Sequence, residues 1–149
     1  MPDIKAPNKN LVLLDSHYQI AQCFFAIEDY WEVLSYCQDF IYLNPTYRDP
    51  YFLMAEAYLA LGLNTLAEAT AEAGFKYGVK HNDWVETANS WLGWGHEILG
   101  KAKGKLEQYD DAIYNLKMAL KHDPYNSILL RELNTFLEIK ITQLESKNK

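Results

Sequence analysis

Four histidines, two cysteines and a set of alternating lysines are the residues of this chain whose chemistry could serve catalysis or ligand binding. His17, His81, His96 and His122 are scattered, and no pair has the close spacing with which two histidines on one helix face hold a metal. His96 adjoins Glu97, but neighbours on a helix point about 100° apart and form no acid–base dyad. Cys23 and Cys37 are too few for a disulfide framework and read as small, reduced thiols. No glycine-rich phosphate loop follows a strand. Gly93, Gly95 and Gly100 lie in a helical stretch among tryptophans, where they read as packing positions. Lys101, Lys103 and Lys105 alternate with Ala102 and Gly104 and read as a solvated loop. No nucleophile sits in a motif. The expectation is a protein that is not an enzyme, with no metal and no cofactor.

Composition narrows the class further. The 149 residues are 49% apolar, 23% charged and 14% aromatic, an ordinary globular balance rich in groove-forming or core-filling rings. The net charge of −6 is uneven: residues 1–75 hold three basic and ten acidic side chains, and residues 76–149 eleven basic and ten acidic. An acidic front half argues against nucleic acid, whose partners carry basic patches. Met1 to Asn10 is polar with two prolines, and the first apolar run, Leu11 to Leu14, is too short for a signal peptide or a membrane span. The chain is expected to be soluble and cytoplasmic, with no membrane insertion, and residues 1–13 are read as a polar tail.

The elements that carry these residues repeat. At an offset of 34, Ile20 falls on Met54, Ala21 on Ala55, Phe24 on Tyr58, Val33 on Ala67 and Phe40 on Gly74. At an offset of 79, Tyr30, Val33, Phe40 and Pro45 fall on Tyr109, Ala112, Ala119 and Pro124, so a third copy carries eleven extra residues. Each copy reads as two helices with a 3.6-residue apolar period. Asp49-Pro50 reads as an N-cap and first helical position. Gly62 stops that helix, and Asn64 is placed to cap the next. Asp83 with Glu86 has capping-box spacing. Asn44-Pro45 and Asp123-Pro124 close their helices. A last helix, from Ser127 to about Glu145, sets Leu130, Leu133, Leu137, Ile141 and Leu144 on one face, the expected cap on the open end of a stack.

This pattern resembles the tetratricopeptide repeat. The resemblance rests on Asp29-Tyr30-Trp31-Glu32-Val33 running to Phe40 and Asn44-Pro45, and on Gln108-Tyr109-Asp110-Asp111-Ala112 running to Ala119 and Asp123-Pro124. First-helix matches are Ile20-Ala21 with Phe24, and Tyr51, Met54-Ala55, Tyr58 and Gly62. The third first helix matches best as Trp91, Trp94-Gly95 and Ile98, with six extra residues before it and five within Gly100 to Lys105. His17, Val79 and Gly74 depart from the pattern. The resemblance implies an all-α solenoid of three repeats, about 14–47, 48–81 and 82–126, with a capping helix and tail over 127–149.

It further implies a non-catalytic protein–protein interaction module, an adaptor or assembly subunit that binds a peptide or helix of a partner protein in its concave groove. Such a chain can be a subunit of a larger complex, because a short stack exposes its ends. The alternative is a dedicated chaperone for an apolar client, such as a type III secretion translocator. Repeats that resemble heat-shock-chaperone adaptors clamp a peptide carboxylate with Lys and Asn. The matching faces here offer Tyr18, Gln22 and Leu53, then Leu92 and His96, or Glu97 and Ile98 in another register, so no cationic clamp is expected. The groove is assigned to Tyr18, Gln22, Phe25, Phe52, Glu56, Leu59, Leu92 and His96, with Trp94 beside them, a lining suited to a partner with apolar anchors.

Overall fold

The computed structural model describes residues 9–148, and every regular element among them is helical. Seven α-helices follow in order: α1 (Lys9–Ala26), α2 (Tyr30–Leu43), α3 (Arg48–Ala60), α4 (Asn64–Tyr77), α5 (Trp94–Lys105), α6 (Tyr109–Leu120) and α7 (Ser127–Lys147). A short 3-10 turn, Ala88–Trp91, precedes α5. The helices pair as antiparallel hairpins, α1 with α2, α3 with α4 and α5 with α6, and each hairpin packs on the next. The first helix begins at Lys9, inside the segment read from sequence as a tail; residues 1–8 lie outside the described residues.

The three hairpins turn the same way. Glu28, Gly62 and Glu107 have φ of 61°, 75° and 61°. In each turn the following amide reaches back five residues: Asp29 N to Phe24 O (2.9 Å), Leu63 N to Tyr58 O (2.9 Å) and Gln108 N to Lys103 O (2.8 Å). This is the Schellman closure, in which a left-handed residue lets the chain satisfy the last helical carbonyls. Glycine adopts that φ freely, whereas glutamate does so at a cost.

These turns settle the third repeat. They recur after 34 and then 45 residues, so the eleven extra residues all precede α5 and none interrupts it. The split register is therefore corrected: Gly100 occupies the position of Ala21 and Ala55, and Glu97 that of Tyr18 and Phe52. Lys101, Lys103 and Lys105 are helical and do not form a solvated loop. Lys101 pairs with Glu97 one turn back at 2.9 Å, and Lys103 reaches Glu68 (3.5 Å) and Glu72 (3.4 Å) on α4.

Burial follows the small-next-to-large pattern. Ala21, Ala55, Ala67, Ala71 and Ala112 are wholly buried where helices approach closely. One core joins α1, α2 and α3 through Leu14, Tyr18, Val33, Cys37, Phe40 and Leu53. A second joins α3, α4 and α5 through Phe52, Ala55, Ala71, Ile98 and Leu99. A third joins α6 to α7 through Leu116, Ala119 and Leu129, flanked by Leu133 and Phe136. The glycines read as packing positions hold that role. A Cβ on Gly95 would come within 2.6 Å of the Phe52 and Phe75 rings, and one on Gly100 within 2.7 Å of Leu116.

Three helix starts differ from expectation. Tyr47, not Asp49, stands at the N-cap of α3, and Asp49 turns its side chain into the protein interior. Leu63 precedes α4 and Asn64 makes no cap. Asp83 accepts from Val85 N (3.0 Å) and Glu86 N (3.3 Å), closing a turn that leads into no α-helix.

Replacing a helical glycine by alanine ordinarily stabilises by about 1 kcal/mol. At Gly95 the added methyl meets two core rings, so overpacking of about 1–3 kcal/mol should win. Gly95→Ala is expected to lower the melting temperature more than Gly62→Ala, where nothing lies within 4 Å and only the positive φ opposes the change. Equal melting temperatures for Gly95→Ala and the parent would show that the Phe52 seat is loose.

Candidate functional site

The concave side is built from the first helix of each hairpin and from the insertion between α4 and α5. Tyr18, Gln22, Phe25 and Ala26 of α1, Leu53 and Glu56 of α3, Trp94 of α5, and Thr87 and Asn89 of the insertion line one cavity of about 400 Å³. Four of the eight residues assigned from sequence therefore come together: Tyr18, Gln22, Phe25 and Glu56. The other four lie elsewhere. Phe52 is 0% exposed beneath the groove, edge-on to Trp94 at 5.7 Å and beside Phe75 at 5.3 Å. Leu59 is half-buried against the second core. Leu92 precedes α5 and lines a separate cavity with Ala119, His122 and Leu129. His96 bridges helices: its ring lies 4.9 Å from Phe75 of α4, and its Nδ1 meets Asn115 Oδ1 of α6 at 2.9 Å. Asn115 Nδ2 donates to Asp111 O, so its Oδ1 accepts from His96.

Trp94, Thr87 and Asn89 complete the groove because the insertion lies before α5. The matching tetrads Ile27-Glu28-Asp29-Tyr30 and Leu106-Glu107-Gln108-Tyr109 carry the signal for that register, since a helix must run directly into each left-handed turn. Trp94 Nε1 donates to Glu56 Oε1 at 2.9 Å. Burial raises the pKa of Glu56 above its ordinary 4.5, the indole bond works against that rise, and Glu97 adds to it. Lys101 shares the helical position of Gln22 and Glu56. Burial opposes its charge, but the bond to Glu97 and the carboxylates of Glu97, Glu132 and Glu56 outweigh it and raise its pKa. Lys101 is thus committed to carboxylates of its own chain, and Lys105 lies near Glu132 as well.

The insertion is held as a wall. Asp49, 0% exposed, accepts from Thr87 N (3.0 Å), Thr87 Oγ1 (2.9 Å) and Ser90 Oγ. Tyr47 donates to Asp83, and its ring stacks on His81 at 3.7 Å. His81 Nε2 lies 3.1 Å from Thr46 O, which can only accept, so Nε2 carries the proton. Trp91 Nε1 donates to Glu86, whose other oxygen accepts from His81 N at 3.0 Å. The Arg48 guanidinium covers Trp91 at 3.7 Å, a cation–π contact.

Burial pushes the Cys37 thiol up to about 12, so it carries no thiolate at neutral pH. Cys23 is exposed on α1. Among the described residues no group of three or more His, Cys, Asp or Glu could hold a metal ion, and no helix is long and apolar enough to cross a membrane.

No family model and no curated protein matches the sequence. Solved structures do match. The tetratricopeptide-repeat domain of Arabidopsis OM64 superposes with a TM-score of 0.73 at 16% identity, covering 85% of this chain and 96% of that one. The first such domain of human RPAP3 gives 0.73 at 18%, covering 95% and 99%. The first such domain of Spaghetti (RPAP3), bound to the HSP90 peptide SRMEEVD, gives 0.72 at 15%, covering 91% and 99%. The chain has the tetratricopeptide-repeat fold: an all-α solenoid of three helical hairpins followed by a seventh helix.

Two outcomes test the groove. Asp49→Ala leaves the Thr87 and Ser90 donors without their acceptor, so amide exchange across 78–93 should accelerate at least tenfold while α1 and α2 keep their protection. Uniform acceleration everywhere would show that Asp49 supports the whole fold instead. The raised pKa of Glu56 means that the folded state holds its proton where the unfolded chain releases it. The stability this contributes is complete below about 4.5 and is lost as pH rises through the folded pKa. Glu56→Gln should therefore flatten the fall in melting temperature as the pH rises above about 4.5; an unchanged slope would refute the assignment.

Proposed function

We propose that the chain is a non-catalytic protein-interaction module, an adaptor or assembly subunit, that holds an extended or helical peptide segment of a partner in its concave groove. The observation that carries this reading is the cavity in which Tyr18, Phe25, Leu53 and Trp94 meet Gln22, Glu56 and Asn89. Apolar surface there can receive an aliphatic or aromatic anchor, and a few polar groups can meet the backbone of the bound segment. A tetratricopeptide domain of the same fold is bound to the peptide SRMEEVD. That use of the fold supports a peptide partner.

The electrostatics select against an acidic peptide here. Lys101 is engaged by Glu97 and lies among Glu56 and Glu132, so the third-repeat end of the groove has a surplus of carboxylates. An acidic peptide end meets repulsion, and a neutral or basic segment with apolar anchors does not.

Phage display of random peptides against the chain tests this. Enriched sequences should carry large apolar residues and lack acidic C-termini. An enriched peptide should lose roughly tenfold or more in affinity to Phe25→Ala and several-fold to Gln22→Ala, because truncated anchors cost about 1–3 kcal/mol. Phe25 is the residue to truncate, since Phe52 is wholly buried and its loss would report on folding. The acidic peptide SRMEEVD should bind at least tenfold more weakly than the enriched peptides. Tight binding of that peptide, or enriched peptides indifferent to Phe25→Ala, would reject the groove.

A further inference from the structure

We infer that α7 is a dimerisation helix that pairs in parallel with α7 of a second copy of this chain. The starting point is a mismatch. The apolar row expected to cap the stack, Leu130, Leu133, Leu137, Ile141 and Leu144, is not the face that docks. Leu129, 2% exposed, with Leu133 and Phe136, packs against α6 and α5. Leu130, Ile141 and Leu144 face solvent at 39%, 54% and 56% exposure, with Leu137 half-buried beside them. Leu133 alone of that row turns inward. The helix therefore has two apolar faces, and its own chain covers one.

The uncovered face has coiled-coil grammar. Leu130, Leu137 and Leu144 recur every seven residues and occupy d positions; Ser127, Asn134 and Ile141 then occupy the a positions of α7. Leucine at d with isoleucine at a favours a two-stranded parallel pair, and one asparagine at a fixes register by pairing with its own counterpart. The flanking charges complement themselves in that arrangement. Lys140 at g faces Glu145 at e of the second copy, and Glu145 faces its Lys140 in return. An antiparallel pair would instead oppose Lys140 to Lys140 and Glu138 to Glu138. Lys140 is steadied at this flank by Asp110, 3.1 Å from its ammonium.

The geometry leaves room for the pair. Leu129 and Phe136 occupy c positions, about 130° round the helix from the a–d seam at 100° per residue, so the repeats lie behind α7 and out of the way. A seam of this length would be marginal between free peptides. Here α7 is already ordered by its inner face, which removes the cost of forming the helix on association.

Sedimentation equilibrium of the full chain decides the matter. The wild type should show a reversible monomer–dimer equilibrium. Ile141→Asp and Leu144→Asp, both at exposed positions, should each weaken it at least tenfold with the helical circular dichroism spectrum unchanged. In a Cys23→Ser background, Asn148→Cys places a thiol at the C-cap just past α7, in phase with the seam, where oxidation should link the parallel dimer. A chain that stays monomeric up to about 500 µM, a dimer untouched by both aspartates, or a dimer that fails to cross-link through position 148 would each overturn the inference. The groove lies on the first helices of the hairpins, so these outcomes leave the peptide-binding reading untouched.

Discussion

The stack depends on the seat of one ring. Phe52 lies at the middle of the second core with two glycines for neighbours. A Cβ on Gly74 of α4 would come within 2.7 Å of it, and one on Gly95 of α5 within 2.6 Å. Interiors packed at crystal density have no slack to absorb an extra methyl, so the absence of two side chains is what lets α3, α4 and α5 meet. The same ring supports Trp94 edge-on, and Trp94 in turn holds Glu56. The joint between the second and third repeats and the floor of the groove are therefore one piece of packing.

A second constraint is electrostatic. Asp49 is taken out of water entirely, and a buried carboxylate is costly unless donors surround it. Three donors from Thr87 and Ser90 do so. Eleven residues that could have been a slack connection are thereby tied to the start of α3, and two of them, Thr87 and Asn89, become groove wall. The insertion thus gives the groove a polar side wall that two hairpins spaced like the first pair would lack.

Charge and shape then divide the surface into two kinds of contact. The groove joins rings and aliphatic carbons with carboxylates whose nearest lysine is already occupied. The outer face of α7 is apolar, regular and self-complementary. A short solenoid has ends to cover, and pairing through a terminal helix would cover one without obstructing the concave side.

The sequence by itself determined the hairpins. A spacing of 34, small residues opposite large ones and a left-handed turn position specify which helices pair and where alanine must sit, because these are local or nearest-neighbour requirements. The fold class was legible for that reason, and so was the placing of Tyr18, Gln22, Phe25 and Glu56 along one cavity. Tertiary structure decided the rest. Periodicity identifies Phe52 as apolar, but only the glycines on two other helices show that it is interior. Asp49-Pro50 has the local form of a cap, yet donors 38 and 41 residues away draw the carboxylate inward. Leu92 and His96 fell out of the groove because the extra residues all precede α5, a register fixed by the turn at Glu107. A helix with two apolar stripes reads the same either way round. Which stripe docks was settled by the shape of the last repeat, where Gly104 makes room for Phe136.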